Sequence, residues 1–133
     1  MSPRPYLDAS ALVKLVLTEP ESLALETYLG GAEPLTSRIA TVEVRRAVAR
    51  VRPMDDRAES MLDALWRRAS MIELHAAIAA TAGRLDPPVL RSLDAIHLAS
   101  AASLGEEIGD FVTYDRRLAG SARSIGLSVV APA

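Results

Sequence analysis

Residues 5–17 read PYLDASALVKLVL, and they contain the first clear evidence for the fold class. Its first three residues predict a brief strand, and the apolar residues 11–17 predict a helix that opens at Ser10. A strand followed directly by a helix is typical of domains in which parallel strands are joined by helices. Asp8 stands at the junction, where a carboxylate either caps the helix or faces a ligand at the edge of the sheet.

The rest of the chain repeats this alternation of short apolar segments and helical stretches. Further strands are predicted at residues 35–36, 71–74, 111–113 and 127–130. A second helix is predicted to run to Leu29 from a capping box formed by Thr18 and Glu21. Further helices are predicted over 37–51, 55–70, 75–84 and 92–104, and from Asp115 onward. Ser92 is the predicted cap of helix 92–104. This order predicts an α/β fold with a mostly parallel sheet covered on both faces. No repeat or linker divides residues 1–133, so one domain is expected.

Apolar spacing predicts the buried faces of two helices. The expected face of helix 37–51 contains Ile39, Val42 or Glu43, Ala47 and Val51. The expected face of helix 55–70 contains Met61, Leu62, Leu65 and Trp66. If these faces are correct, Glu43 lies on or beside the core, which is an unusual place for a carboxylate.

The composition excludes several classes of protein. The 133 residues are half hydrophobic and 24% charged, which suits a compact core and argues against disorder. The absence of cysteine excludes disulfides and thiolate metal sites. Residues 1–5 lack the apolar run of a signal peptide and residues 11–17 are too few to span a bilayer, so a cytoplasmic protein without membrane contact is expected. The net charge of −2 means that any contact with nucleic acid needs a local basic patch or a metal ion.

Four acidic residues are candidates for a common site. Asp8 and Asp115 each follow a predicted strand, and the carboxyl ends of parallel strands share the edge at which ligands bind. Glu43 is predicted on a helix face where three of the four neighbours at three and four residues are apolar. Asp94 has Leu90 and Leu98 at the same offsets, with Ala101 one turn further on. A carboxylate in such surroundings costs several kcal/mol, on the order-of-magnitude scale for buried ions, unless a positive group meets it.

The positive group is either an arginine or a metal ion. Arg46 lies within reach of Glu43, and Arg91 within reach of Asp94, so ion pairs without any function stay open as an explanation. The two strand-end aspartates have a structural alternative as helix caps. A pocket shared by all four carboxylates would be an all-oxygen site, which suits Mg²⁺ or Mn²⁺ better than zinc. Such a site is equipped for phosphodiester hydrolysis.

Four segments resemble, in order, the motifs of PIN domains, specifically the toxins of VapBC toxin–antitoxin modules. They are YLDASALVKL at 6–15, TVEVRRA at 41–47, LDAIHLA at 93–99 and FVTYDRRL at 111–118. The resemblance runs from residue 6 to about the end of the chain. The four acidic positions show no departure from the family's pattern.

The resemblance implies a PIN-like three-layer α/β/α sandwich with four or five strands, and a metal-dependent endoribonuclease. Asp8 and Asp94 would be the principal ligands of Mg²⁺ or Mn²⁺, with Glu43 and Asp115 completing the pocket directly or through water. The implied substrate is a structured or single-stranded RNA such as transfer RNA, cut to leave a 5′-phosphate and a 3′-hydroxyl. The implied partners are a small antitoxin, whose tail fills the site, and a second copy of the chain.

Other polar residues lie near the four acidic positions. Ser10 and Thr113 either hold a water or a carboxylate, or serve as a helix cap and a strand end. Arg116 and Arg117 directly follow Asp115 and are well placed to contact a phosphate. His97 either orients Asp94 or, as the better supported alternative, is a partly buried histidine bonded to backbone. Four arginines lie at the far end of helix 37–51 and directly after it: Arg45, Arg46, Arg50 and Arg52. They are expected to form an RNA-backbone patch, a solvated face or an antitoxin contact.

Two other functions stay open. One is a catalytically silent binding module with the same fold, which only an activity assay distinguishes from a nuclease. The other is a phosphotransfer or receiver-type domain, in which an aspartate after a strand becomes phosphorylated. Such domains need a lysine facing the phosphate, and the single lysine, Lys14, is predicted mid-helix two turns beyond Asp8. The receiver-type function is therefore the weaker alternative.

Overall fold

A parallel sheet at the centre of the molecule positions every candidate residue. The computed structural model describes residues 3–133; Met1 and Ser2, part of the segment for which no signal peptide is predicted, lie outside the described residues. The strands within 3–133 are β1 (Arg4–Leu7), β2 (Leu35–Ser37), β3 (Ser70–Ile72), β4 (Ile108–Val112) and β5 (Val129–Val130). Their order is β3-β2-β1-β4-β5, and each neighbouring pair is parallel.

Each predicted helix is present, with shifted ends. The helices within the described residues are α1 (Ala9–Val13), α2 (Ser22–Leu29), α3 (Ala40–Val51), α4 (Asp56–Arg68), α5 (Ala76–Gly83), α6 (Ser92–Ala102) and α7 (Arg116–Ser124). A 3-10 turn over Gly105–Glu107, which the sequence did not predict, leads into β4. Across the described part of the chain, the helices are too short or too polar to span a membrane.

Alternating side chains on the two central strands separate the helical layers. Leu7 and Val112 point into a core shared with α1, α2, α3 and α4. Tyr6 and Phe111, one residue earlier on each strand, point to the opposite face and pack against α6 and α7. A strand exposes successive side chains on opposite faces, so one short apolar segment serves both cores. The predicted three-layer α/β/α architecture is confirmed.

Asp8 rather than Ser10 caps α1, so of the two caps considered at this point the one at Asp8 is confirmed. The Asp8 side chain accepts a hydrogen bond from the Ala11 amide, so the helix begins at Ala9. It also ends early, at Val13, and residues 14–17 form turns rather than the predicted further helical turn.

Two other predicted caps are wrong. The capping box of Thr18 and Glu21 does not form, because α2 begins at Ser22 and the Glu21 side chain makes no cap. The Ser22 hydroxyl instead accepts from the Glu19 amide, which closes the turn before the helix. Ser92 is the first residue of α6 rather than its cap.

The buried face of α3 lies one residue away from the predicted one. It consists of Ala40, Val44 and Val48, whereas Val42 and Val51 are 60% and 66% exposed. Glu43 therefore lies at the edge of the core, which leaves its carboxylate free to reach the end of the sheet. The face predicted for α4 is partly right, because Leu62 and Leu65 are buried but Met61 and Trp66 are only half-buried.

Candidate active site

The four predicted acidic residues line one cleft at the carboxyl end of the central strands. This acidic cleft has a volume of about 340 Å³ and is lined by Asp8, Glu43, Asp94 and Asp115, together with His97 and Arg91. Leu7 of β1 and Val112 of β4 are in register, so the residues that follow them emerge side by side. α3 and α6 contribute the other two carboxylates from the two sides of the sheet.

Asp8 is the most deeply placed of the four carboxylates. It is buried, and its Oδ1 accepts from the Ser10 hydroxyl (2.7 Å) and the Ala11 amide (3.1 Å), while its Oδ2 accepts from the Thr113 hydroxyl (2.7 Å). Burial raises the pKa of the Asp8 carboxyl above its ordinary value, and the hydroxyl donors and His97 only partly oppose that rise. Capping of α1 and a place in the cleft are thus combined in one residue.

Ser10 and Thr113 hold the Asp8 carboxylate in a fixed orientation. Each hydroxyl donates to Asp8 and also accepts a backbone amide, Ser10 from Tyr114 (2.9 Å) and Thr113 from Asp115 (3.1 Å). A hydroxyl with one donor and one acceptor partner has no freedom to rotate. The turn after β4 is therefore tied directly to the carboxylate that follows β1.

Arg91 bridges the two outer carboxylates. Its guanidinium donates to Asp94 Oδ2 (3.2 Å) and to Asp115 Oδ2 (3.1 Å), and Asp115 uses its other oxygen to cap α7. The arginine partner considered for Asp94 is thus present. The Arg91 side chain is 62% exposed, however, and exposed pairs contribute only about 0–1 kcal/mol. Because these ion pairs are weak, Arg91 competes poorly with a divalent cation for the two carboxylates.

Glu43 pairs with His97 rather than with Arg46. The His97 Nε2 atom lies 2.7 Å from Glu43 Oε1, and the His97 Nδ1 atom lies 2.8 Å from Tyr6 Oη. Both alternatives considered for His97 are wrong, because within residues 3–133 it bonds neither Asp94 nor the backbone and is fully buried. The three-residue step from Asp94 to His97 rotates the side chain from the cleft mouth towards the sheet.

Tyr6 is the residue of the site that the sequence did not indicate. Its ring is fully buried, stacks on Phe111 at a centroid distance of 5.2 Å, and meets the His97 ring edge-on at 5.8 Å. Burial raises the pKa of the Tyr6 phenol well above its ordinary value, so the hydroxyl keeps its proton. A tyrosine on a buried central strand needs a hydrogen-bond partner for its hydroxyl, and this requirement could have indicated Tyr6 from the sequence.

The residue types in the acidic cleft fit a hard divalent cation. No three acidic or histidine side chains in the described residues are grouped closely enough to hold a metal ion by themselves. Mg²⁺ does not need such a cage, since it usually keeps several waters and is held by one or two carboxylates plus substrate phosphates. An all-oxygen set around the buried Asp8 carboxylate matches that requirement, and it also suits Mn²⁺.

A basic groove adjoins the acidic cleft. It has a volume of about 710 Å³, shares Arg91 and Asp94 with the cleft, and is further lined by Arg116, Arg117 and Ser121. The two arginines next to Asp115 thus line this groove rather than the acidic cleft. The groove provides a local positive surface on a chain whose overall charge is slightly negative.

The arginines of α3 lie outside both the cleft and the basic groove. Arg45 and Arg46 line a separate groove between α3 and α4. Arg45 pairs with Glu59 at 2.5 Å, and Arg52 pairs with Asp55 at 3.3 Å. These ion pairs connect α3 to α4 and to the residue that caps it.

Lys14 does not serve the acidic cleft. It follows α1 instead of lying within a helix, and its ammonium contacts Glu21 at 3.2 Å and Glu19 at 3.5 Å. The same ammonium lies over the Tyr114 ring, 4.7 Å from its centroid. The lysine that a receiver-type domain requires beside its aspartate is therefore engaged elsewhere.

Comparisons with known proteins agree on one family. The model of the PIN domain matches residues 6–123. Ribonuclease VapC47 and Ribonuclease VapC46, both of Mycobacterium tuberculosis, are 40% identical over 134 residues and 42% identical over 132 residues, and each alignment covers 96% of both chains. A crystal structure of VapBC2 from Rickettsia felis, bound to a DNA fragment from their promoter, matches 97% of this chain and 98% of that chain with a TM-score of 0.70. At 17% identity that likeness concerns the fold alone.

Asp8→Asn is expected to raise the melting temperature of the metal-free protein at neutral pH. Because folding raises the Asp8 pKa, the ionised carboxylate costs stability above its folded pKa, and this cost disappears as the pH falls towards the unfolded value. Asparagine keeps the cap of α1 without the charge. Melting curves in EDTA should show a gain, at about 3–5 °C per kcal/mol for this chain length, that shrinks at mildly acidic pH.

Asp94→Asn is the matched control for this measurement. Asp94 is only partly buried and faces the exposed Arg91, so its substitution should bring no comparable gain in EDTA. If Asp8→Asn melts below the wild type in EDTA, the hydrogen bonds to Asp8 outweigh the cost of its burial. The ionised Asp8 carboxylate would then not destabilise the metal-free protein.

Proposed function

The chain belongs to the PIN-domain family, and from this premise we propose that it is a metal-dependent endoribonuclease acting as the toxin of a toxin–antitoxin module. The observation that carries the proposal is the convergence of Asp8, Glu43, Asp94 and Asp115 on one cleft. The names of the M. tuberculosis relatives, which align over nearly their whole length, support ribonuclease activity.

We assign Asp8 and Asp94 as the principal metal ligands, and Glu43 and Asp115 as ligands directly or through water. Mg²⁺, or Mn²⁺ in its place, supplies when bound a water of lowered pKa and neutralises charge on the phosphate. Ser10 and Thr113 support this arrangement by aiming the Asp8 carboxylate. The burial of Asp8 strengthens its attraction for a cation, since charges interact more strongly where water is excluded.

The RNA is proposed to lie in the basic groove and enter the acidic cleft beside Arg91. Arg116 and Arg117 would contact its phosphates, and the exposed Arg91, at the boundary, would exchange its carboxylate partners for the phosphate nearest the cut. Guanidinium groups bind phosphates through paired hydrogen bonds without reading base sequence. This arrangement supplies the local patch that a chain of net charge −2 requires.

A catalytically silent binding module remains the second candidate. The four carboxylates and their hydrogen-bond support favour a nuclease, because a silent module has no use for a buried carboxylate whose ionised form is disfavoured. The position of Lys14 counts against a phosphotransfer domain.

Asp94→Asn is expected to lower RNA cleavage at least about a hundredfold, the scale on which loss of one key electrostatic group acts. The asparagine keeps the shape of the side chain and removes the charge that binds the cation. Cleavage of total RNA with Mg²⁺ or Mn²⁺, followed by sequencing of the cut ends, measures the effect. Asp63→Asn, on exposed α4 surface outside both the cleft and the basic groove, is the control. Cleavage by Asp94→Asn near the wild-type rate would show that Asp94 is not a ligand.

Substitution of both Arg116 and Arg117 by alanine should raise the KM for RNA while changing kcat by less than about twofold. Loss of two phosphate contacts to a single strand should also reduce the salt dependence of kcat/KM by about 1.4 in the log–log slope, at about 0.7 per contact. Arg57→Ala combined with Arg67→Ala, two exposed positions of α4 outside the basic groove, is the matched control. Identical salt slopes for both double variants would remove the basic groove from the substrate path.

The proposed partners are a cognate antitoxin and a second copy of the chain, in the cytoplasm where RNA is available. Expression of the chain alone is expected to arrest growth, and coexpression of the neighbouring open reading frame should relieve the arrest. Light scattering at micromolar concentration should show a homodimer. A neighbouring gene product that neither binds the protein nor restores growth would contradict the toxin assignment, even if RNA cleavage is observed.

A further inference from the structure

His97 is fully buried, yet both of its ring nitrogens have side-chain partners. Nε2 lies 2.7 Å from Glu43 Oε1, and Nδ1 lies 2.8 Å from Tyr6 Oη. Only 1% of the His97 surface is exposed, so water does not compete for either bond. These residues come from β1, α6 and α3, and we call them the Tyr6–His97–Glu43 link.

The direction of each hydrogen bond in the link follows from the donors available. An ionised Glu43 carboxylate can only accept, so the His97 Nε2 atom carries a proton. In the neutral imidazole the Nδ1 atom then accepts, and the Tyr6 phenol donates to it. The phenol thus donates to the imidazole and the imidazole donates to the carboxylate, so each ring nitrogen has a hydrogen-bond partner.

The imidazole is fixed in position by its packing. The Tyr6 ring stacks almost parallel on Phe111 and meets the His97 ring at 80°. The Tyr6 and His97 rings lie between the sheet and α6, where close packing prevents them from turning without opening the core. The His97 Nε2–H group is therefore a rigid donor at the inner wall of the acidic cleft.

Glu43 depends on this donor more than Asp8 and Asp115 depend on any one of theirs. Asp8 accepts three hydrogen bonds and Asp115 caps α7, so both are held by short side chains near backbone amides. Within residues 3–133, the bond from His97 is the one hydrogen bond that the Glu43 side chain makes. A glutamate has three side-chain torsions, so its carboxylate would sample several positions without that bond. The bond occupies Oε1 and leaves Oε2 available to the cleft.

We propose that His97, oriented by Tyr6, is the positioning residue that fixes the Glu43 carboxylate for a divalent cation or for the water bound to it. This inference rests on the function proposed above. Side chains that orient metal-ligating groups typically change metal affinity or activity by about 10–100-fold when they are lost. A histidine with a purely structural role would affect folding stability without changing the affinity of the folded protein for metal.

The test compares His97→Gln with His97→Asn, which differ in the reach of one amide. The Gln amide nitrogen extends about as far as the imidazole Nε2 and can donate to Glu43, whereas the Asn amide reaches only towards Tyr6. We expect His97→Gln to keep Mn²⁺ affinity, titrated without RNA, and kcat within about threefold of the wild type. His97→Asn should lower both Mn²⁺ affinity and kcat by about tenfold or more, and it should change the KM for RNA by less than about twofold. His75→Gln, at the exposed second histidine, is the control.

Two further variants separate positioning from packing. In a Glu43→Ala background, His97→Asn should weaken Mn²⁺ binding no further, because the carboxylate on which His97 acts is gone. Tyr6→Phe keeps the stack on Phe111 and removes the phenol hydroxyl that donates to His97, so it should lower Mn²⁺ affinity and kcat by a few-fold in a folded protein. If circular dichroism shows that His97→Asn does not fold, Tyr6→Phe carries the test.

Equal Mn²⁺ affinity and kcat in the Gln and Asn variants would overturn the positioning role and leave the nuclease proposal intact. A further loss of Mn²⁺ affinity from His97→Asn in the Glu43→Ala background, or a folded Tyr6→Phe with wild-type values, would overturn it as well. A wild type that binds Mn²⁺ but cuts no RNA would instead remove the proposed activity, and the Mn²⁺ affinities would still decide the role of His97. A wild type that binds no Mn²⁺ would overturn both proposals.

Discussion

The parallel pairing of β1 with β4 brings together the residues that form the acidic cleft. The register that sets Leu7 beside Val112 also sets Asp8 beside Thr113, although the two residues are 105 positions apart in the chain. Parallel neighbours can be joined only by long crossovers, and here the crossover contains the helices that bring Glu43 and Asp94 to the same edge. The acidic cleft is thus a consequence of strand order.

The cleft places negative charge where burial makes that charge costly. Asp8 meets three neutral donors rather than a cation, so its charge is oriented but not neutralised, and its pKa is raised. Arg91 reaches only the outer carboxylates and is itself largely exposed. The uncompensated inner carboxylate is the physical feature that favours a metal-binding function over an ion-pair network.

The sequence predicted the elements and the four acidic positions because these depend on local patterns. Alternating short strands and helices, with Asp8 directly after β1 and Asp115 three residues after β4, are readable within a few residues. The Tyr6–His97–Glu43 link joins residues that are 91 and 54 positions apart, and no local pattern specifies that α3 and α6 meet at that point. The α3 face was misplaced for a related reason, since apolar Val42 and Val51 fit helical spacing but face away from the core.

Local and long-range support of the carboxylates has different consequences for the site. Asp8 and Asp115 are oriented largely by groups within three residues in the chain, and Asp8 also by Thr113, which follows the paired strand β4. Glu43 is oriented from α6, which packs on the opposite face of the sheet and contacts α5. A small shift of α6 would therefore move Glu43 and Asp94 relative to Asp8 while the inner carboxylate stayed fixed. The distance of these two carboxylates from Asp8 therefore depends on how α6 packs on the sheet.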